Sequence, residues 1–226
     1  MITPESEPRS PDGARDQRGL DRGVGSRIPQ DAADGRRKIR YWDRFYGRPQ
    51  ESLPQTRFEL DSFRRHVGPE RGQIAIDVGC GRGTLAAAMA RTGMTVTGYD
   101  WSSVAIAAAR DRHWSKRLDF AVHDFLTEAV PPGLEPGSVD VVACRLTMPY
   151  LEPERFLENV CGWLRPGTGC FYLVVQVMER QPPEKAFAGY PEAVIEEIRA
   201  GWKDAERWDV NPSGSVTGLA LRGPQG

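Results

Sequence analysis

Alternating glycines stand between Asp77 and Gly83, in the run Asp77-Val78-Gly79-Cys80-Gly81-Arg82-Gly83. The run closes a short apolar stretch, Ile74-Ala75-Ile76-Asp77-Val78, and opens an Ala-rich one, Thr84 to Thr92. Glycine at every second position lets a backbone turn sharply and approach a ligand closely. A helix starting there offers unpaired N–H groups to polar ligand atoms. The dinucleotide fingerprint of dehydrogenases places its glycines at the first, third and sixth positions. Here Gly79, Gly81 and Gly83 lie two apart, and no further glycine follows where that fingerprint wants one. Asp77 stands just before the turn, where its charge would repel a pyrophosphate and suits a ligand with a cationic end.

Elements must position this turn, and the chain supplies them in alternation. Strands are predicted at Ile74 to Val78, Met94 to Tyr99, Leu118 to Val122, Val139 to Cys144 and Cys170 to Val177. Short apolar runs bounded by glycines suit buried parallel strands. Helices are predicted over Thr84 to Thr92, from a Ser102 or Ser103 cap to about His113, from Pro153 to Leu164, and from Pro191 to near Trp202. Glu206 to Val210 and Ser215 to Leu221 flank an Asn211-Pro212-Ser213-Gly214 turn and read as a hairpin. Two helices precede the first strand. One carries Ile39, Trp42, Phe45 and Tyr46 on a helical spacing. The other runs from Thr56 to Val67, with Phe58, Leu60, Phe63 and Val67 as its apolar members and Gly68-Pro69 closing it. Residues 1 to 35 are rich in Pro, Gly, Ser, Arg and Asp and are expected to be a disordered tail. Residues 36 to 226 are expected to form one domain, with lid helices over 36 to 70 and the core over 71 to 226. An α/β sheet with helices on both faces follows, its ligand crevice at the carboxyl ends of the central strands.

The motifs together resemble the class I S-adenosylmethionine (SAM)-dependent methyltransferases. Asp77 to Gly83 is similar to that family's first motif. Gly98-Tyr99-Asp100-Trp101-Ser102, followed by Ala105 to Arg110, matches its second strand. His123-Asp124-Phe125 stands at its third, acidic motif. Ser138 to Val142 and Leu164-Arg165-Pro166-Gly167-Thr168-Gly169 match its fourth strand and the turn before the fifth. The resemblance covers about Arg37 to Leu221. It implies a Rossmann-like, doubly wound, seven-stranded, mostly parallel sheet with a C-terminal antiparallel hairpin strand.

The resemblance also implies site residues. Asp77, Gly79, Cys80, Gly81 and Gly83 would surround the methionine part of SAM, with the backbone near Arg145. Asp100, about 20 residues past the glycines, would accept the ribose hydroxyls. Trp101 and Phe125 would sandwich the adenine, since aromatic faces stack on flat bases, and Asp124 would accept its amino group. The Tyr41-Trp42-Asp43-Arg44-Phe45-Tyr46 segment looks like the lid helix of small family members. Tyr41 and Tyr46 would face the site, and Trp42 and Phe45 the core, Trp42 also serving the lid. S-adenosylhomocysteine would be the product.

Methyl transfer to an acceptor demands alignment first, and a base only where a proton must leave. His123, Arg145 and Tyr150 are the candidates for catalytic or acceptor contacts; His123, beside Asp124, reads as a base or acceptor contact or as a polar loop residue, and Thr147 and Glu152 share the loop after the fourth strand with Arg145 and Tyr150. Arg145 suits a carboxylate or phosphate of the acceptor, or an ion pair with a neighbouring acid. His66 and His113 end helices and are expected to be exposed. The only sizeable loop near the site is Met178 to Tyr190, with Pro182-Pro183, so a small-molecule acceptor is expected. A catalytically silent SAM-binding subunit or regulator is the alternative; the glycine spacing disfavours a nucleotide-dependent oxidoreductase.

Thirty basic against 31 acidic residues give a formal net charge of −1. A nucleic-acid partner usually demands a basic surplus, so none is expected. No apolar run approaches the ~20 residues that span a bilayer. The N-terminus has no apolar segment of a secretory signal, and a cytoplasmic location is expected. Cys80, Cys144, Cys161 and Cys170 form no C-x-x-C pair and, with three histidines, suggest free thiols and no metal. Oligomeric state is not legible.

Overall fold

The computed structural model describes residues 39–48, 55–181 and 188–225. The predicted tail and the Pro182-Pro183 part of the predicted loop lie outside the described residues. The described chain builds one seven-stranded sheet. Helices α1 (Ile39–Tyr46) and α2 (Arg57–Val67) precede β1 (Ile74–Val78). Then come α3 (Thr84–Arg91), β2 (Thr95–Asp100), α4 (Ser103–Arg112), β3 (Leu118–Val122) and β4 (Val141–Arg145). A short 3-10 turn at Met148–Tyr150 leads to α5 (Pro153–Trp163), β5 (Cys170–Gln176), α6 (Glu192–Ala200), β6 (Trp202–Asp209) and β7 (Val216–Pro224).

The strand order is β3-β2-β1-β4-β5-β7-β6. Strands β1 to β5 pair in parallel, and β7 enters antiparallel between β5 and β6. The doubly wound sheet with its antiparallel hairpin is therefore as expected. The order reverses between β1 and β4, and at such a switch point the crossovers leave a crevice over the strand ends.

Side chains alternate between the two faces of the sheet. Ile76, Val142, Phe171 and Leu173 pack beneath α5 and α6, where Phe156, Trp163 and Ile195 meet them. Ala75, Ala143, Tyr172 and Val174 face α2 and α3 through Phe63, Leu85 and Met89. All seven residues of β5 are buried.

Three expectations are corrected. Trp202 does not end a helix: Gly201 caps α6, and Trp202 begins β6 with its indole buried. Val139 only bridges Leu164, and β4 proper starts at Val141. Phe58 is 60% exposed. The inner face of α2 is Glu59, Ser62, Phe63 and Val67, a three-four spacing that leaves Phe58 one position off the buried stripe. A buried acid sets that face, and an apolar pattern does not reveal it.

Candidate active site

Thr147, in the loop after β4, packs directly over Gly79. A Cβ on Gly79 would lie 2.3 Å from the Thr147 side chain, and its φ of 68° is a conformation that side chains resist. Two loops thus meet at van der Waals distance only because residue 79 is glycine. Beside Thr147, Leu146 holds φ 57°, a strained conformation for a branched residue.

Asp100 ends β2 facing the glycine turn. Its Oδ2 accepts the Gly81 N–H and its Oδ1 the Ser102 N–H, both at 2.9 Å. Burial pushes its carboxyl up to about 6, against the pull of those two N–H groups. Asp77, at the end of β1, accepts the Ala86 N–H of α3 through Oδ2 at 3.1 Å. Its Oδ1 is buried without a hydrogen-bond partner among the described residues. Burial raises this carboxyl to about 7, offset in part by the Ala86 N–H and the Arg145 charge. An orphaned carboxylate oxygen beside a glycine cradle fits a cationic ligand group.

The raised carboxyl has a consequence for stability. Between the ordinary carboxylate range and about 7 the folded protein holds a proton on Asp77 that the unfolded chain has released. Stability from this group is therefore present at low pH and lost as pH rises through 7. Asp77→Asn removes the titration. The denaturation midpoint of the variant, relative to the unsubstituted protein, is expected to rise from pH 5 to about pH 7 and to level off above it. A pH-independent difference would refute the assignment.

The crevice has two adjoining lobes. One, of about 480 Å³, is lined by Asp100, Trp101, Asp124, Phe125 and Leu126. The other, of about 910 Å³, is lined by Asp77, Gly79, Gly81, Arg145 and Gln176. Trp42, Tyr46, Thr147 and Tyr150 border both. Asp124 uses Oδ1 to accept the Leu126 N–H at 3.0 Å, which fixes its loop. Phe125 packs on Trp163 and Tyr99 with one side and borders the first lobe with the other. Cys80 borders the second lobe, and burial pushes its thiol up, so it stays protonated. Desolvation likewise raises the Tyr46 hydroxyl, although the residue as a whole is only half-buried.

Several expected roles change. Of the two readings of Arg145, the ion pair is the one found: Nε and Nη2 hold Glu59 Oε1 and Oε2 at 2.6 and 3.0 Å. His123 is buried, with Nε2 2.8 Å from the Glu128 carbonyl and Nδ1 3.8 Å from the Glu128 carboxylate. Its ring meets Phe125 edge-on at 4.5 Å, so it braces the Asp124-Phe125 loop rather than acting as a free base. Trp42 and Phe45 are not core residues, because α1 has no buried residue and both border the second lobe. His66 is not exposed but stacks on Trp208 at 4.0 Å and meets Glu206 at 2.7 Å. His113 is half-buried near Phe120. Tyr150 is buried at the crevice, edge-on to Trp42 at 5.1 Å.

Sequence reasoning missed four residues here. Glu59 is a buried acid in a helix that otherwise reads as amphipathic. Gln176, at the end of β5, borders the second lobe with its Oε1 orphaned among the described residues. Leu126 borders the first lobe, and Arg82 reaches α1. Only Arg82, inside the glycine motif, carried a signal that could have found it.

A family model described as a methyltransferase domain matches residues 76–172. Residues 76–172 are thus similar to methyltransferase domains. Among curated relatives, the ubiquinone biosynthesis O-methyltransferase of Albidiferax ferrireducens is 32% identical over 136 residues, covering 59% of this chain and 52% of the relative. That of Stutzerimonas stutzeri is 28% identical over 180 residues, covering 77% and 73%. The first of these matches thus spans about half the relative's length. Among solved structures, the N-methyltransferase NodS from Bradyrhizobium japonicum, in complex with S-adenosylhomocysteine, has a TM-score of 0.62 at 19% identity, covering 83% of this chain and 98% of that one. At that identity the likeness concerns the fold. The matched region places its glycine turn, Asp100 and the 124–126 loop on one crevice. Among the described residues no helix is long and apolar enough to cross a membrane, and no cluster of three metal-ligating side chains occurs.

Proposed function

We propose that the protein transfers a methyl group from SAM to a small-molecule acceptor. The carrying observation is the pair of buried carboxylates, Asp77 with an orphaned oxygen and Asp100 against the glycine turn. Asp100 grips the ribose, and Trp101, Phe125 and Leu126 enclose the adenine in the first lobe, with Asp124 at its amino group. Asp77, Gly79, Cys80 and Gly81 surround the methionine part, whose ammonium meets the orphaned Asp77 oxygen, whereas Gly83 packs on Phe120 and gives the turn its shape. When bound, SAM supplies a methyl group that its sulfonium already makes electrophilic.

The chain's own residues hold the acceptor in line and keep water away, which supplies several kcal/mol of the barrier by alignment. The second lobe holds the methionine part along the glycine turn, and its remaining space, between α1 and Gln176, serves the acceptor. Tyr41, Trp42, Phe45 and Tyr46 of α1 give it an aromatic wall, with Tyr150 opposite and the Gln176 amide at its polar end. Both arginines bordering it are engaged, Arg145 by Glu59 and Arg82 by carbonyls near the end of α1. That arrangement favours an uncharged acceptor over a carboxylate or phosphate. The relatives' name as O-methyltransferases makes hydroxyl compounds the first to test. The free thiols fit a cytoplasmic location.

The test is calorimetry with SAM and S-adenosylhomocysteine, then a methyl-transfer assay on hydroxyl, amine and thiol compounds. Saturable binding of both, with S-adenosylhomocysteine released only when an acceptor is present, is expected. No binding of either at millimolar concentration would overturn the proposal.

A further inference from the structure

Helix α1 has eight residues and none of them is buried. A helix that short does not hold itself together in water. Hydrogen bonds attach it to two loops that carry cofactor groups. At its C-terminal end, Arg82 Nη2 donates to the Tyr46 carbonyl at 2.6 Å and to the Arg48 carbonyl. A guanidinium there also meets the negative end of the helix dipole. Arg82 lies between Gly81 and Gly83 and is buried. In mid-helix, Asp43 Oδ1 accepts the Ser102 hydroxyl at 2.6 Å. Ser102 also donates its N–H to Asp100 and caps α4. Tyr46 closes over the turn itself, since a Cβ on Gly81 would stand 2.8 Å from its hydroxyl. The loops after β1 and β2 therefore face the cofactor cleft on one side and hold α1 on the other.

We propose that Arg82 and Asp43 are positioning residues that couple the order of α1 to occupancy of the cofactor cleft. The coupling rests on the SAM reading given above. A ligand that bridges the glycine turn and Asp100 fixes both loops in the spacing that α1 requires. Coupling is reciprocal: whatever the ligand adds to the order of α1, an ordered α1 adds to ligand affinity. The helix then covers the acceptor lobe chiefly when the cofactor is in place.

Asp43 separates this coupling from plain electrostatics. Burial raises the Asp100 carboxyl, and the Asp43 charge adds to that rise. By charge alone, removing Asp43 favours ionised Asp100 and a tighter grip on ribose. By coupling, Asp43→Ala loosens α1 and weakens the grip. Asp43→Asn keeps an oxygen that accepts from Ser102 and loses only the charge.

The experiment uses the full chain with S-adenosylhomocysteine as the probe. It combines hydrogen exchange over residues 39–46 with calorimetry on the unsubstituted protein, Asp43→Ala, Asp43→Asn, Arg82→Ala and Arg82→Lys. The probe is expected to slow exchange in α1, and Asp43→Ala and Arg82→Ala are expected to weaken binding about fivefold or more. In both alanine variants the protection of α1 is expected to fall. Asp43→Asn is expected to bind at least as well as the unsubstituted protein, and Arg82→Lys to recover part of the loss. Binding that leaves α1 exchange unchanged, or Asp43→Ala binding as tightly as the unsubstituted protein, would overturn the coupling and leave the SAM reading standing. Failure of the unsubstituted protein to bind the probe would remove both.

Discussion

Asp100→Ala is expected to weaken S-adenosylhomocysteine binding by about 2 kcal/mol or more, a rise of roughly 30-fold in dissociation constant. The carboxylate would accept two ribose hydroxyls, and hydrogen bonds to a charged acceptor are the stronger kind. The substitution also strips the Gly81 and Ser102 N–H groups of their shared acceptor. Those two bonds set the distance between the glycine turn and the start of α4, so the cleft loses its shape along with its ribose contact. Asp100→Asn separates the two effects. Its amide oxygen keeps one of the N–H bonds, so the loops stay closer to register, while a neutral amide cannot accept from both hydroxyls. Calorimetry on both variants, with near-ultraviolet circular dichroism to confirm packing, is the measurement. Alanine is expected to be worse than asparagine, and both worse than aspartate. An alanine variant that stays packed and binds with undiminished affinity would place the ribose elsewhere.

Asp100 was legible because two independent signals converge on it: the end of an apolar run and a fixed distance beyond a glycine turn. The strands were legible for a related reason. Buried parallel strands such as Cys170 to Gln176 are continuous apolar runs, and glycine or proline marks their limits. What stayed hidden was long-range pairing. Arg145 announced a charge near the crevice, yet its partner Glu59 lies 86 residues earlier, and no local pattern links them. The same pair turned α2, so Phe58 faces solvent although its residue type suggests the core. In α1, Trp42 and Phe45 are expected in the core and the tyrosines at the site, whereas Trp42 and Phe45 line the crevice like Tyr46. An aromatic wall and a hydrophobic core have the same composition, and only packing tells them apart. His123 shows the converse: a histidine beside a motif acid attracts a catalytic reading, and its surroundings make it a brace.

Glu59→Ala is expected to destabilise the protein by about 3 kcal/mol or more, the usual cost of removing one member of a buried ion pair. Glu59 is 4% exposed and meets Arg145 through two short bonds. Without it, the guanidinium loses its carboxylate partner in a low-dielectric site and stands beside Asp77 and the Tyr172 hydroxyl, which has no hydrogen-bond partner among the described residues. The pair's net worth is a separate quantity, because desolvating two charges offsets much of their attraction. Glu59→Leu with Arg145→Met therefore tests the mechanism. Replacing both charges by apolar side chains of similar length is expected to recover most of the loss. Urea denaturation of the single and double variants measures this, with an unchanged slope indicating that the same surface unfolds. If the double variant were no more stable than the single one, the loss would come from packing of α2 and not from a stranded charge. Recovery has a functional corollary. Arg145 immediately precedes strained Leu146 and the Thr147 that packs on Gly79, so a stable double variant that binds S-adenosylhomocysteine poorly would assign the ion pair to holding that loop against the glycine turn.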